Sequence, residues 1–198
     1  MSLIVLLEDH SIVRDGLRYL LEQDGHRIEA EFGNPDDFFR RMDGLSSDIL
    51  ITDLDFAHYK GTAVLEHPAC ITGRFRTIVL SMHTGPNVVR QAIRLGIAAY
   101  VSKGRGAQEL LNAIRSVEQG LPYFCDEARK AADTRSPHIT QREREVLVLL
   151  IAGMSPKDIA EKLGISDKTV YVHRVNLLEK FKARSVFELQ SRASELGI

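Results

Sequence analysis

Residues 49–56 read ILITDLDF. An apolar run, Ile49–Thr52, stops abruptly at a carboxylate, Asp53, and a second acid follows at Asp55. A short, continuous apolar run is what a strand buried on both faces looks like. In an open parallel sheet, ligands gather beyond the carboxyl ends of the strands. An acid at that point is therefore either a solvated turn residue or a group that does chemistry.

The rest of the first 120 residues repeats the pattern. Leu3–Leu7 is a second continuous apolar run, followed directly by Glu8 and Asp9. Thr77–Leu80 is a third, ending at Ser81, and Ala98–Val101 a fourth, with Lys103 just beyond. His26–Ala30 mixes charge with apolar residues and is the weakest strand. Between these runs, residues 11–23 set Ile12, Val13, Leu17, Leu20 and Leu21 near helical spacing. Asn34-Pro35-Asp36-Asp37 is a helix start: a capping Asn, Pro at the first position, acids in the first turn. Further helices run from Pro86 to Leu95, closed by Gly96, and over Ala107–Glu118, closed by Gly120. Leu65–Arg76, with Pro68 and Gly73, is a poor match to a regular helix. Strand and helix in alternation imply a parallel sheet with helices on both faces.

If the strands before Glu8 and Asp53 are neighbours, the carboxylates of Glu8, Asp9 and Asp53 converge at one edge of the sheet. Clustered carboxylates repel one another unless a cation intervenes. A hard divalent cation such as Mg²⁺ prefers that oxygen-rich setting. A cation beside a carboxylate suits phosphoryl transfer, because it neutralises phosphate charge while the carboxylate attacks. Ser81 could then donate its hydroxyl to a phosphoryl oxygen, and Lys103 could supply a compact positive charge.

Residues 121–137 break the alternation and read as a connector between domains, with a short helix within 126–132. After it come only helices. Thr140-Gln141-Arg142-Glu143 is a capping box, and Ser155-Pro156 starts the next helix, which Gly164 closes. Ser166 caps a third helix running to about Phe181, and a fourth covers Val186–Leu196. In the stretch ISDKTVYVHRVNLLEKF, Val172, Val175 and Leu178, with Val170 and Leu177, outline an apolar inner stripe. Lys168, Tyr171, His173 and Arg174 then lie mostly outward. Two helices joined by the tight Gly164-Ile165 make a helix-turn-helix, whose second member can lie in a major groove.

The chain has 198 residues and a net charge of −1, but the charge is uneven. Residues 1–137 carry 16 Lys+Arg against 19 Asp+Glu, and residues 138–198 carry 10 against 8. The positive field belongs to the C-terminal helices, as nucleic-acid binding requires. The two cysteines, Cys70 and Cys125, have no metal-ligand spacing, and no apolar run is long enough to span a membrane. A cytoplasmic protein with reduced thiols is expected.

LLEDH, ILITDLDF, Gly61, IVLSMH and AYVSKG together resemble the receiver domain of two-component response regulators. ITQREREVLVLLIAGMSPKDIAEKLGISDKTVYVHRVNLLEKF resembles the DNA-binding domain of the NarL/FixJ group, the LuxR-type helix-turn-helix. The resemblance implies a flavodoxin-like, doubly wound α/β receiver over residues 1–120, a linker over 121–137, and an all-α four-helix domain over 138–198. It implies a regulator of transcription rather than an enzyme. Asp53 would accept a phosphoryl group from a sensor histidine kinase. Asp9, Asp53 and the main-chain carbonyl of Asp55 would hold Mg²⁺, supported by Glu8. Ser81 and Lys103 would contact the phosphoryl oxygens, and Ser81 and Tyr100 would form the switch. Lys168, Thr169, Tyr171, Val172 and Val175 would face double-stranded DNA, with Lys157, His173 and Arg174 on phosphates. Val172 and Val175 thus have two competing readings, core or base contact. The last helix would pair two copies of the chain, through Leu189 and Ala193 unless these pack within their own domain.

Two departures from the family pattern leave rival readings. Phe56-Ala57-His58-Tyr59 stands where the family has Met-Pro-Gly, and Gly104 follows Lys103 where Pro is common. One rival is a receiver that binds DNA without phosphorylation. The other is a phosphatase resembling the haloacid-dehalogenase type, with Asp53 attacking and Asp55 as acid and base. That enzyme needs an acidic pair after the Lys, and none follows Lys103.

Overall fold

The computed structural model describes residues 2–67, 70, 73–133 and 137–195. The chain divides into two compact units, Met1–Asp133 and Thr134–Ile198.

In the first unit, β1 (Leu3–Leu7), β2 (Arg27–Phe32), β3 (Ile49–Thr52), β4 (Arg76–Ser81), β5 (Ala99–Ser102) and β6 (Tyr123–Phe124) form one parallel sheet. Its order is β2-β1-β3-β4-β5-β6. Side chains alternate across a strand, so each central strand feeds two cores. Val5, Leu7, Leu50, Val79 and Tyr100 face α2 (Pro35–Arg41), α3 (Pro86–Arg94) and α5 (Asp126–Asp133). Ile4, Leu6, Ile49, Ile51, Ile78, Leu80 and Val101 face α1 (Ser11–Gln23) and α4 (Ala107–Glu118). Burial on both sides explains the unbroken apolar runs. β2 is an edge strand, paired on one side only, which explains its mixed composition. Within α1, Leu17 and Leu21 are buried, whereas Ile12 and Val13 lie outward.

The connector expected over 121–137 is, over Tyr123–Asp133, part of this unit. β6 pairs with β5, Ala99 opposite Tyr123 and Tyr100 opposite Phe124. α5 buries Ala128 and Ala131, one helical turn apart, beneath the same face. The apolar spacing of Phe124, Cys125, Ala128 and Ala131 is the signal for this addition. In place of a regular helix between β3 and β4, a short 3₁₀ turn covers Gly61–Val64. Of the irregular stretch Leu65–Arg76, residues 68, 69, 71 and 72 lie outside the described residues.

The second unit holds α6 (Gln141–Ile151), α7 (Pro156–Leu163), α8 (Asp167–Lys180) and α9 (Val186–Glu195). Each expected cap forms: Thr140 accepts from the N–H of Glu143, Ser155 from that of Asp158, and Ser166 from that of Thr169. Gly164 ends α7 with φ 63°, left-handed backbone that glycine adopts without a Cβ penalty. The core gathers Val146, Leu147, Leu150, Ile159, Val170, Leu177, Phe181, Leu189 and Ala193.

Two expectations are corrected here. Of the proposed inner stripe of α8, Val170 and Leu177 are buried but Val172 and Val175 are exposed. Leu189 and Ala193 are fully buried in their own unit, so they offer nothing to a second copy. The large apolar side chain that α9 does expose is Phe187.

Glu143 ties the ends of α6 and α8 together. Its Oε2 accepts from the Thr140 N–H at 2.8 Å and from Lys180 Nζ at 2.7 Å. Burial works against this carboxylate, but the Lys180 ammonium and the Thr140 donors outweigh it and hold its pKa down to about 2, against an ordinary 4.5. A carboxylate depressed on folding stabilises the fold above its unfolded pKa and ceases to as pH falls through the folded one. The second domain is therefore expected to lose stability between pH 4.5 and 2. In Glu143→Gln, circular-dichroism melts over that range should lack this part of the acid dependence. Leu189→Ala should cost about 2–5 kcal/mol by urea denaturation, and Phe187→Ala under about 0.5 kcal/mol.

Candidate functional site

β1 and β3 are neighbours in register, Leu7 opposite Thr52, so the residues that follow them leave the sheet side by side. The strand order reverses at this pair, where parallel sheets open a crevice. Two main-chain bonds pin the exits: the Glu8 N–H donates to Phe32 O at 2.9 Å and the Asp53 N–H to Leu7 O at 3.0 Å. Glu8, Asp9, His10 and Asp53 thereby bring ligand atoms within 4.8 Å of one another. Glu8 and Asp53 are buried, while Asp9 and His10 are exposed.

Lys103 completes the cluster from the far side of the sheet. Its Nζ lies 2.7 Å from Glu8 Oε2 and 2.7 Å from Asp53 Oδ2. Burial works against the ammonium, but the hydrogen bonds and charges of Asp53 and Glu8 outweigh it and raise its pKa above the ordinary 10.5. Lys103 stays charged at any physiological pH. The other Asp53 oxygen, Oδ1, accepts from the Leu54 N–H at 2.6 Å.

Ser81 and Tyr100 sit on the adjoining strands, β4 and β5, and both are fully buried. Ser81 Oγ accepts from the His83 N–H at 3.1 Å. The Tyr100 hydroxyl donates to the main-chain oxygen of His83. Burial pushes the Tyr100 phenol well above its usual range, so it remains a protonated donor. β5 is not an edge strand, because β6 pairs with it, Tyr100 opposite Phe124. Asp55 is outside the acidic cluster, and its carboxylate pairs with His83 Nε2.

Three residues here were not singled out from the sequence. His10 Nδ1 lies 2.8 Å from Asp9 Oδ1 and 3.2 Å from Glu8 Oε1. Arg14 Nη1 donates to the main-chain oxygen of Glu8 at 2.5 Å, through space that a Cβ on Gly33 would crowd at 3.3 Å. His83 joins Asp55, Ser81 and Tyr100. His10 and His83 lie inside the motifs LLEDH and IVLSMH, which is the signal that was available. Arg14 sits among residues with helical spacing and had none.

In the second unit, Lys168, Tyr171, Val172 and Val175 are exposed along one side of α8. Thr169, His173 and Arg174 are half-buried, with Thr169 Oγ1 held 2.8 Å from Ser166 Oγ. Lys157 is exposed in the first turn of α7. The burial decides between the two readings of Val172 and Val175: neither is core.

Residues 4–115 match the family model described as the response regulator receiver domain, and residues 137–193 that of bacterial regulatory proteins, luxR family. The chain belongs to the NarL/FixJ family of response regulators. This response regulator is 37% identical over 194 residues to the transcriptional regulatory protein UhpA of Salmonella typhimurium strain LT2, covering 97% of each chain. It is 28% identical over 206 residues to the response regulator UvrY of Escherichia coli strain K12, covering 98% of this chain and 94% of that one. Among solved structures it resembles the complex of the two-component response regulator RcsB with DNA, with a TM-score of 0.79 and 23% identity over 98% of both chains. That last likeness concerns the fold.

Removing the Lys103 charge leaves two buried carboxylates uncompensated. Lys103→Gln is expected to cost about 3 kcal/mol of receiver stability in metal-free buffer near pH 7, read by chemical denaturation with EDTA present.

Proposed function

We propose that this response regulator accepts a phosphoryl group on Asp53 from a sensor histidine kinase and that the modification controls binding of its luxR-type domain to double-stranded DNA. The observation that carries this reading is the convergence of Glu8, Asp9, Asp53 and Lys103 at the strand ends where the order reverses. In the transfer, an Asp53 carboxylate oxygen attacks phosphorus; the bond from phosphorus to the kinase histidine nitrogen breaks as the new P–O bond forms. Lys103 and the Ser81 hydroxyl would be the donors to the phosphoryl oxygens.

The donor set fits Mg²⁺: carboxylate oxygens, hard and close together. Asp9, Asp53 and the main-chain carbonyl of Asp55 would hold it, with Glu8 in support. Bound there, it would neutralise phosphoryl charge during transfer. Once Asp53 carries the group, Ser81 and Tyr100 would transmit the change through the β4–α3 loop.

The DNA-binding half rests on the family match and on α8. Lys168, Thr169, Tyr171, Val172 and Val175 would face the major groove, with Lys157, His173 and Arg174 near phosphates. Phosphorylation would favour a homodimer that presents two recognition helices to two half-sites. A receiver over 1–120, which the compact unit Met1–Asp133 extends, and a helical domain over 138–198 serve this reading, in a cytoplasmic protein. Among the described residues no helix is long and apolar enough to cross a membrane.

The phosphatase reading needs an acidic pair after Lys103, whereas the clustered acids Glu8, Asp9 and Asp53 all precede it, and the Asp55 carboxylate it would use pairs through Oδ2 with His83 Nε2. The phosphorylation-independent reading draws on the loop after Asp53. There the Phe56 N–H donates to Tyr59 O at 2.9 Å, and the Tyr59 hydroxyl donates to Asp36 Oδ1 at 2.7 Å.

Incubation with acetyl phosphate and Mg²⁺, followed by intact mass, should show one phosphoryl adduct on the wild type and none on Asp53→Ala. DNA affinity should rise at least about tenfold on phosphorylation, the scale of an ordinary coupling energy. Equal affinity with and without the phosphodonor, in wild type and Asp53→Ala alike, would establish the unregulated binder instead.

A further inference from the structure

α8 is apolar on both of its sides. Inward, Val170 and Leu177 fill the core of the helical domain, and the Phe181 that follows the helix joins them. Outward, Tyr171 is 63% exposed, Val172 48% and Val175 41%. Isolated exposed valines need no explanation, but these three residues share one stripe within two turns, next to the exposed Lys168. A helix whose only task is to cover a core puts polar residues outward.

The chemistry of that stripe is selective. From Lys168 to Val175 the exposed side chains are Lys168, Tyr171, Val172 and Val175. None is the Asn or Gln that pairs with adenine or the Glu that accepts from cytosine, and Lys168 alone could reach guanine O6 or N7. The major groove offers one apolar group, the C5-methyl of thymine. Three residues of helix advance about 4.5 Å, close to the roughly 3.4 Å rise between base pairs. Val172 and Val175 can therefore address neighbouring pairs. Residues 165–184 carry five Lys+Arg and two Asp+Glu, a net +3 that favours a polyanion over a neutral protein surface as the occupant.

We infer that Val172 and Val175 select operator half-sites by packing on thymine methyl groups at neighbouring base pairs, so that those positions carry A·T rather than G·C pairs. Lys168 supplies charge one turn earlier, and Tyr171 flanks the methyl contacts with its ring. The inference rests on the DNA-binding reading above and specifies the bases that α8 reads.

The test uses the full chain with acetyl phosphate and Mg²⁺. Bound sequences are selected from a random duplex pool. The selected duplex is then remade with deoxyuridine for thymine, one position at a time, which removes the methyl and leaves every hydrogen-bonding group in place. Expected are thymines at neighbouring positions of each half-site and an affinity loss of about fourfold for each thymine replaced, the scale of one buried carbon. Val172→Ala and Val175→Ala should bind the thymine duplex more weakly and lose the uridine effect at one position each. Val175→Thr, which keeps one methyl, should retain part of it. Both valines are exposed, so unchanged melting temperatures will show that the variants fold. Selection of G·C pairs, or equal affinity for thymine and uridine duplexes, would overturn the inference while leaving DNA binding intact. Failure to retain any duplex would remove the DNA-binding reading and this inference with it.

Discussion

The receiver is organised around one shared proton donor, the Lys103 ammonium held 2.7 Å from both Glu8 and Asp53. Two buried carboxylates side by side are unfavourable unless positive charge stands between them. The sheet supplies that charge from a strand that is not adjacent. Glu8 follows β1 and Asp53 follows β3, which are neighbours; Lys103 follows β5, two strands beyond β3. Only a parallel sheet delivers all three at the same edge. The unbroken apolar runs of β1, β3 and β4 are the means by which the chain holds those charges in register.

That logic explains what could be read from the residues alone. Asp53, Glu8, Asp9, Ser81 and Lys103 each end or follow an apolar run, so the continuous burial of the strands on both faces marks them. Arg14 and His83 could not be found so easily, because their roles come from partners distant in sequence or from the main chain, whereas His10 pairs with its own neighbours Asp9 and Glu8 within LLEDH. Arg14 braces the oxygen of Glu8 from within α1, where its spacing looks like ordinary helix surface. A two-residue strand and small alanines carry little pattern, so from the residues alone β6 and α5 read as connector. Their burial becomes legible only once β5 is known to need a neighbour.

The helical domain shows the opposite failure. Its caps and boundaries were plain from Ser, Thr, Pro and Gly positions, yet the face of α8 was not. A helix apolar on one side announces its orientation, whereas Val170, Val172, Val175 and Leu177 surround α8. Periodicity cannot separate a core valine from an exposed one when both are present. The packing of α6 and α7 against α8 decides it, by choosing Val170 and Leu177 for the core. Leu189 and Ala193 follow the same rule: spaced four apart on a terminal helix, they suit either a partner or the parent core, and the core takes them.

His83 links two parts of the receiver that the sequence keeps separate. Its main chain receives the Tyr100 hydroxyl and donates to Ser81, while its ring pairs with Asp55. The loop after β4 is thus tied at once to the loop after β3 and to the interior of β5. Ser81 accepts from the His83 N–H and lies in hydrogen-bond reach of the Tyr100 hydroxyl, and its own O–H can turn to a new acceptor. A new anion at Asp53 would draw on that O–H and on Lys103, which now divides its bonds between two carboxylates. Charge added at Asp53 would then change the partners of Glu8, through the Lys103 they share, and, by drawing on the Ser81 hydroxyl, those of His83 as well. Such a set of shared donors can carry a local chemical event away from the site with little movement of the sheet itself.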